Sequence, residues 1–569
     1  MSCKQLCITL VAICSALLVI VLVRTFTLVP RKDVVIACKT ADSDFIKLTD
    51  QILKRFQKAL QIDTISFKRG EYNRDQLLLL GSHLQKSFPV VHSSPLVKLD
   101  IIANYSRLYT ISGSNTSLTP YLLTAHLDVV PAIAEEWELP PFDAQIKDEF
   151  IYARGAIDFK QGIMGILEAL EYLLSKGFKP NRSFYIGFGH DEEVTGVDGA
   201  RAISQELQSR GLKQVEFLLD EGLAVLNGFI PGIKKPVALI GIGEKGFLTL
   251  KLYVKGEAGH SSMPLKETAI GILAKAVSKI EDNPLPSMLG YGPEKEMLEH
   301  LAHEMPLAAR IVMSNLWLFG PIVSWFFSQK PPTNAIIRTV TSVTMFNGGV
   351  KTNVLPSDAT AYINHRIHPA QSLQEIMDYD RAVINDDRVQ ISVEDSMVAA
   401  AGSPSGENDF GYQIISNSIR QIWTNATTAP GMMIGNTDTK HYKDFTKNIY
   451  RFSPTVMFPG DEKRFHGVNE RISKNNYEQA INFYYHIIVN ADKRLLMGNT
   501  DTRHYAMFTK NIYRFCPTVM FLGDEKRFHG INERISKKNY EQAINFYYHV
   551  ITNADQRSLI NIHQHSDEL

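Results

Sequence analysis

Residues 121–131, YLLTAHLDVVP, form an apolar run closed by a histidine and an aspartate two positions apart. Side chains of an extended strand alternate between faces, so His126 and Asp128 point the same way. YLLTA reads as a buried strand, a rigid base for both. Similar strand ends follow in IYARGAIDFK (Asp158), FYIGFGHDEEVTG (Glu192, Glu193) and VEFLLDEG (Asp220, Glu221). In an open α/β sheet, ligand-binding groups collect outside the carboxyl ends of the strands. Acidic turns after strands are common, and one alone carries little. One histidine with several carboxylates, all at such ends, fits a site for two divalent cations sharing a carboxylate.

Around this core, residues 70–245 alternate strands with helical stretches such as GIMGILEALEYLLSKG (162–177), which Gly177 and Pro180 end. That alternation is the signature of parallel βαβ units. Residues 43–62 carry apolar side chains at helical spacing. From residue 246 the style changes: FLTLKLYVKGEAGH, TNVLPSDATAYINHRIH and DRVQISVE alternate like strands of a smaller α+β domain. The expected architecture is α/β. A mainly parallel catalytic domain with helices on both faces (31–245 and 410–494) is interrupted by an α+β lid or dimerisation domain (246–409). The stretch 296–330 is rich in Met, Leu, Trp and Phe. It reads either as a helical hairpin filling the core of the insert, or as an apolar wall for an acyl chain or a membrane.

Residues 434–494 and 497–557 align without gaps at an offset of 63, with 50 of 61 positions identical. Solenoid repeats need several copies to bury a core. Two near-identical copies read instead as a segment duplication, or as two versions of one exon joined. One sheet can use only one copy, so 495–569 is expected to be a redundant copy plus tail.

With 60 basic and 60 acidic side chains among 569 residues, charge points to no nucleic-acid partner. Five cysteines, three of them in the N-terminal apolar segment, exclude a disulfide framework. Leu6–Val23 is an uncharged, mostly apolar stretch with Lys4 before it and Arg24, Arg31 and Lys32 after it. Residues 1–30 therefore read as an export signal, either a cleaved signal peptide or a retained anchor through 6–23. Four Asn-x-Ser/Thr sequons, at Asn104, Asn115, Asn181 and Asn425, suit a secreted glycoprotein. The terminal SDEL is one residue from a KDEL-type address, which leaves the ER lumen as the alternative.

The blocks HLDVVP, ARGAIDFKQG, DEEVTG, LLDEG, GHSSMP, NVLPS, GNTDTKHY and RFHGVNERIS occur in that order within residues 45–494. They resemble the di-zinc aminoacylase and carboxypeptidase S family of metallopeptidases. The resemblance implies two metals, with His126 on one, Asp158 bridging, and Glu193 and His466 on the other. The fifth ligand is Asp220 or Glu221, with Asp220 preferred, and His529 of the second copy rivals His466. Imidazole and carboxylate without thiolate suit zinc, manganese or cobalt; the resemblance selects Zn2+, two per chain. Asp128 fits the carboxylate that orients His126. With Glu193 on a metal, Glu192 is left as general base, taking a proton from the attacking water and passing it to the leaving nitrogen. The family position for the oxyanion donor is His260, supplied from the lid of a partner subunit, which implies a homodimer. Asn353 and Arg366 match substrate-contacting positions, Arg366 as a clamp for a free α-carboxylate.

The implied activity is cleavage, and in reverse condensation, of N-acyl amino acids. Its partners are N-acyl amino acids, free fatty acids and amino acids, and the apolar stretch 296–330 favours long acyl chains. The rivals are a carboxypeptidase or dipeptidase of the same family, and a non-catalytic ectodomain whose duplicated tail disrupts the site.

Overall fold

The computed structural model describes residues 3–28, 45–400, 402–493 and 535–564. By compactness the chain falls into two units, residues 1–492 and 493–569.

The first unit begins with helix α1 (Cys3–Thr27) and α2 (Asp50–Leu60). The Thr49 side chain caps α2 by accepting from the Ile52 N–H, and Ile52, Phe56, Ala59 and Leu60 form its buried stripe. Strands β1 (Val97–Ile102), β2 (Ser106–Ile111) and β3 (Tyr121–His126) follow. Next come α3 (Lys160–Ser175), β4 (Phe184–Gly189), α4 (Ala200–Ser209), β5 (Leu218–Leu226) and β6 (Val237–Glu244). The chain then enters the lid with β7 (Gly246–Lys255) and α5 (Ala269–Asp282). Helices α6 (Pro293–Leu301), α7 (Leu307–Ser314) and α8 (Leu316–Phe327) intervene. The lid resumes with β8 (Val340–Gly348), β9 (Asp358–Ile367), α9 (Leu373–Ile384) and β10 (Val389–Met397). The return to the main sheet is through α10 (Phe410–Ile422), β11 (Thr427–Met433), β12 (Ile449–Met457) and α11 (Lys474–Lys493).

The main sheet has eight strands in the order β11-β6-β12-β5-β3-β4-β2-β1. Its centre, β12-β5-β3-β4, is parallel, with antiparallel pairs toward the β1 edge. The continuous apolar reading of Tyr121–His126 is explained by its place: every residue of β3 is buried, as a parallel strand covered on both faces must be. The lid sheet is antiparallel, in the order β8-β9-β7-β10, and β7 alternates buried and half-buried positions as a strand with one covered face does. This is the α/β architecture with an α+β insert that the sequence implies.

Helices α6–α8 depart from the expectation that residues 296–330 fill the core of the insert. Met297, Leu298, Leu301, Leu316 and Val323 pack with Val237 and Leu239 of β6 and Ala429 of β11. They cover the outer edge of the main sheet, where those side chains had apolar surface to bury.

Strand β12 and helix α11 come from the first repeat copy, and β12 pairs with β5 and β6 inside the sheet. In the second unit, helix α12 (Lys537–Gln564) carries the exposed residues Tyr540, Ile544, Tyr547, Tyr548 and Val550. His529 and the terminal SDEL lie outside the described residues.

Candidate metal centre

The ends of β3 and β4, the early part of β5, the turn that carries Asp158 and one loop of the first repeat copy converge at one edge of the main sheet. His126 closes β3 and is buried. Its Nε2 lies 3.1 Å from Asp158 Oδ1 and 3.2 Å from Glu221 Oε2. His466 Nε2 lies 3.0 Å from the other oxygen of Asp158, Oδ2, and 3.1 Å from Glu193 Oε2. One carboxylate thus stands between two imidazoles, each with a carboxylate of its own. Glu192 completes the group, with a ligand atom within 4.8 Å of those of His126 and Glu221.

Asp128 organises the cluster from behind. Its backbone carbonyl lies 3.0 Å from His126 Nδ1, and its carboxylate lies 3.4 Å from the same atom. The same carboxylate accepts the backbone N–H groups of Glu192 (3.1 Å) and Glu193 (3.2 Å), fixing the turn that carries both glutamates.

Two residues that the sequence did not single out hold the remaining ligand loops. Glu470 accepts from the N–H groups of Ile157 (2.7 Å) and Asp158 (3.1 Å) and pairs with Arg154 at 2.8 Å. Arg154 donates in turn to the carbonyls of His466 and Gly467. This buried pair ties the Asp158 loop to the His466 loop. Both residues lie inside recognisable blocks, ARGAIDFKQG and RFHGVNERIS, but they act on backbone groups, which leave no pattern in a sequence.

The fifth position corrects the preference for Asp220. Glu221, not Asp220, turns its carboxylate to His126. Asp220 is buried with Oδ2 unpartnered, and burial pushes its carboxyl up to about 6. The reason is a register irregularity: Asp220 pairs with Arg451 of β12, whereas Phe452 pairs with Leu223. Glu221 and Gly222 bulge out of the ladder, and a bulge re-aims the side chains beside it. The Gly222 N–H donates to Ser453 Oγ at 3.0 Å, which pins the bulge.

His260 and Asn353 are not part of the cluster. They lie together on an exposed two-stranded antiparallel pair of distant lid segments, where His260 pairs with Val354 and the Ser261 N–H donates to the Asn353 carbonyl. Arg366, in β9, donates to Asn436 Oδ1 at 2.8 Å, and Asn436 donates to the Lys245 carbonyl.

The electrostatics are those of a site built for cations. Burial pushes Glu193 up to about 7, and burial together with the Glu221 charge raises Glu192 well above the carboxylate range. Burial raises Glu221 likewise. Hydrogen bonds to Asp158 and Glu193 lift His466 to about 10. Burial opposes a charge on His126, but Glu221, Asp128 and Asp158 outweigh it and raise its pKa. Glu193 Oε1 is buried without a hydrogen-bond partner. Packed carboxylates with an orphaned oxygen and two imidazoles are the donor set that divalent metal ions satisfy.

A mixed sheet bearing such a cluster at its carboxyl edge, crossed by an α+β lid, defines a metallopeptidase of the α/β class. The model of peptidase family M20/M25/M40 matches residues 122–490, and the chain belongs to that family. It is 46% identical over 480 residues to N-fatty-acyl-amino acid synthase/hydrolase PM20D1 of Xenopus tropicalis, covering 84% of this chain and 93% of the relative. The PM20D1 of Homo sapiens is 43% identical, over 86% of this chain and 97% of its own length. A probable carboxypeptidase S-like protein 2 of Dictyostelium discoideum is 43% identical, over 79% and 87%. Among solved structures, an M20 family metallo-carboxypeptidase from Sulfolobus solfataricus shares the fold. Its TM-score is 0.57 at 18% identity, over 78% of this chain and all of that one.

Proposed function

We propose that the chain is a metal-dependent amidohydrolase that cleaves N-fatty-acyl amino acids and condenses fatty acid with amino acid in reverse. The observation that carries this reading is identity of 43–46% to synthase/hydrolases over 84–86% of the chain.

His126, Asp158 and Glu221 would hold one metal, and His466, Asp158 and Glu193 the other. Zn2+ is the preferred ion, two per chain. When bound, the metals lower the pKa of water and polarise the amide carbonyl. Glu192, beside both His126 and Glu221, takes the proton from the attacking water and returns it to the leaving nitrogen. Asp128 holds His126 in orientation and fixes the Glu192–Glu193 turn. Arg366 offers its guanidinium to the free α-carboxylate, and Asn353 contacts the substrate. His260, on the exposed strand pair of the lid, is the donor for the oxyanion of a neighbouring subunit's site in a homodimer. In this reading residues 31–245 and 410–494 form the catalytic domain and 246–409 the inserted lid, whose helices α6–α8 pack on the main sheet. Export of the chain accords with the apolar helix α1 and with the exposure of Asn104, Asn115, Asn181 and Asn425.

The second reading, a carboxypeptidase, draws on the Dictyostelium relative. Competition separates the two. Purified protein offered oleoyl-phenylalanine together with an unacylated dipeptide of the same C-terminal residue should consume the acyl amino acid first. Preference for the dipeptide would establish the carboxypeptidase reading instead.

A further inference from the structure

Within helix α1 the 23-residue stretch Gln5–Thr27 contains an 18-residue window of mean hydropathy 3.1, long and apolar enough to cross a bilayer. Its carboxyl end is specifically docked. Arg310 of α7 donates to the Thr25 carbonyl at 2.9 Å, and its guanidinium lies over the Phe26 ring. Asn315 donates to the Val21 carbonyl (3.3 Å) and to Thr25 Oγ1 (3.1 Å). Arg24 reaches the Ser314 carbonyl at 3.2 Å and Glu299 of α6 at 3.3 Å. A segment that serves only to be cut away needs no such polar seat in the folded enzyme.

At Asn315 the chain turns through 110° from α7 into α8. The inner side of α8 buries Leu316 and Val323, while Trp317, Leu318, Ile322, Trp325 and Phe326 stay exposed, Trp325 at 67%. Leu318, Ile322 and Trp325 recur at helical spacing and form one outward face. Monomeric proteins rarely leave such an apolar face bare. A cleft of about 880 Å³ between α1 and α8 is walled by Ile20, Leu316, Trp317 and Pro321, with Arg24 and Lys295 at its polar side. Indole rings beside the end of a spanning helix are the arrangement that membrane–water interfaces favour.

We infer that α1 is a retained anchor and that α8 lies beside its carboxyl end in the interfacial layer of the same bilayer. The occupant of the exposed face is lipid, because the helix seated against α7 is itself of bilayer length and composition. This inference stands apart from the substrate reading.

The chain contains four tryptophans, two of which, Trp137 and Trp423, are buried and serve as internal controls. Full-length protein from a secretory host is first weighed by intact-mass spectrometry, then placed in phosphatidylcholine vesicles with brominated acyl chains. Residues 1–27 should be present in the purified chain. Lipid bromines should reach two of the four indoles, so emission falls by about half, more with bromines near the headgroup than at the chain terminus. The double variant Trp317→Phe/Trp325→Phe should lose this quenching while keeping the wild-type circular dichroism spectrum and metal content. Loss of residues 1–27, unquenched wild type, or equal quenching in the double variant would each overturn the proposal. A face that pairs with a second copy gives the unquenched result.

Discussion

Glu192 and Glu193 leave the same short turn, both with backbone N–H groups held by Asp128, yet their carboxylates reach different partners. Glu193 meets His466, whereas Glu192 stands beside His126 and Glu221, the place of the proposed general base. Glu192→Gln keeps the shape and removes the proposed base. It should retain the wild-type metal content and lose turnover by about 10²–10⁴-fold, the usual share of acid–base catalysis. Elemental analysis beside a kinetic assay checks this, and near-normal kcat would refute the role. Lys245 carries a different expectation. It is buried between β6 and β7, donating to the carbonyls of Ala335 and Arg338, and burial with the Arg366 charge pushes it from 10.5 down to about 7. Between those values the unfolded chain binds more protons than the folded one, so this group makes stability rise with pH, by at most about 1.4 kcal/mol per unit. Lys245→Met should flatten that rise in denaturation measured from pH 7 upward. An unchanged slope would show that the lysine keeps its charge in the fold.

At the scale of single elements, β5 shows what the sequence disclosed and what it withheld. The strand was legible in the apolar run of VEFLLDEG, but it continues through Asp220 and Glu221 to Leu226 and does not end at them. Which carboxylate faces His126 was not legible, because alternation fails at the bulge of Glu221 and Gly222. That bulge is imposed by β12, a partner more than two hundred residues away, and local spacing holds no record of it. The Glu470–Arg154 pair escaped for a similar reason, since it serves backbone groups of two distant loops. By contrast His126, Asp158 and Glu193 were legible because each sits at or just beyond the end of a strand or loop that its own apolar run announces. Ser453 provides the element's test. Its hydroxyl accepts from Gly222 beside Glu221, and the equivalent residue in the second repeat copy is Cys516. Sulfur is a weak acceptor, so Ser453→Cys should loosen the bulge at a cost of about 0.5–1.5 kcal/mol. The expected result is weaker metal retention in a chelator titration with little change in fold. Unaltered metal affinity would mean that Glu221 is held by other contacts.

For the whole molecule, the duplication sets the question of which copy the enzyme uses. The first copy contributes β12 to the middle of the main sheet, α11 to the core, and His466 to the cluster. His466→Ala should therefore lower metal content and abolish turnover, while His529→Ala should leave both intact. The reverse pattern would assign the site to the second copy. The proposed central chemistry, an amide bond of a fatty-acyl amino acid broken at a metal centre of His126, Asp158, Glu193, Glu221 and His466, is open to one direct measurement. Oleoyl-phenylalanine is incubated with full-length protein as purified, after exhaustive chelation, and after zinc is restored, and released oleate is quantified. The expected result is release by the native protein, none after chelation, and recovery with zinc. Release that survives removal of all metal, or no release by metal-replete protein, would contradict it.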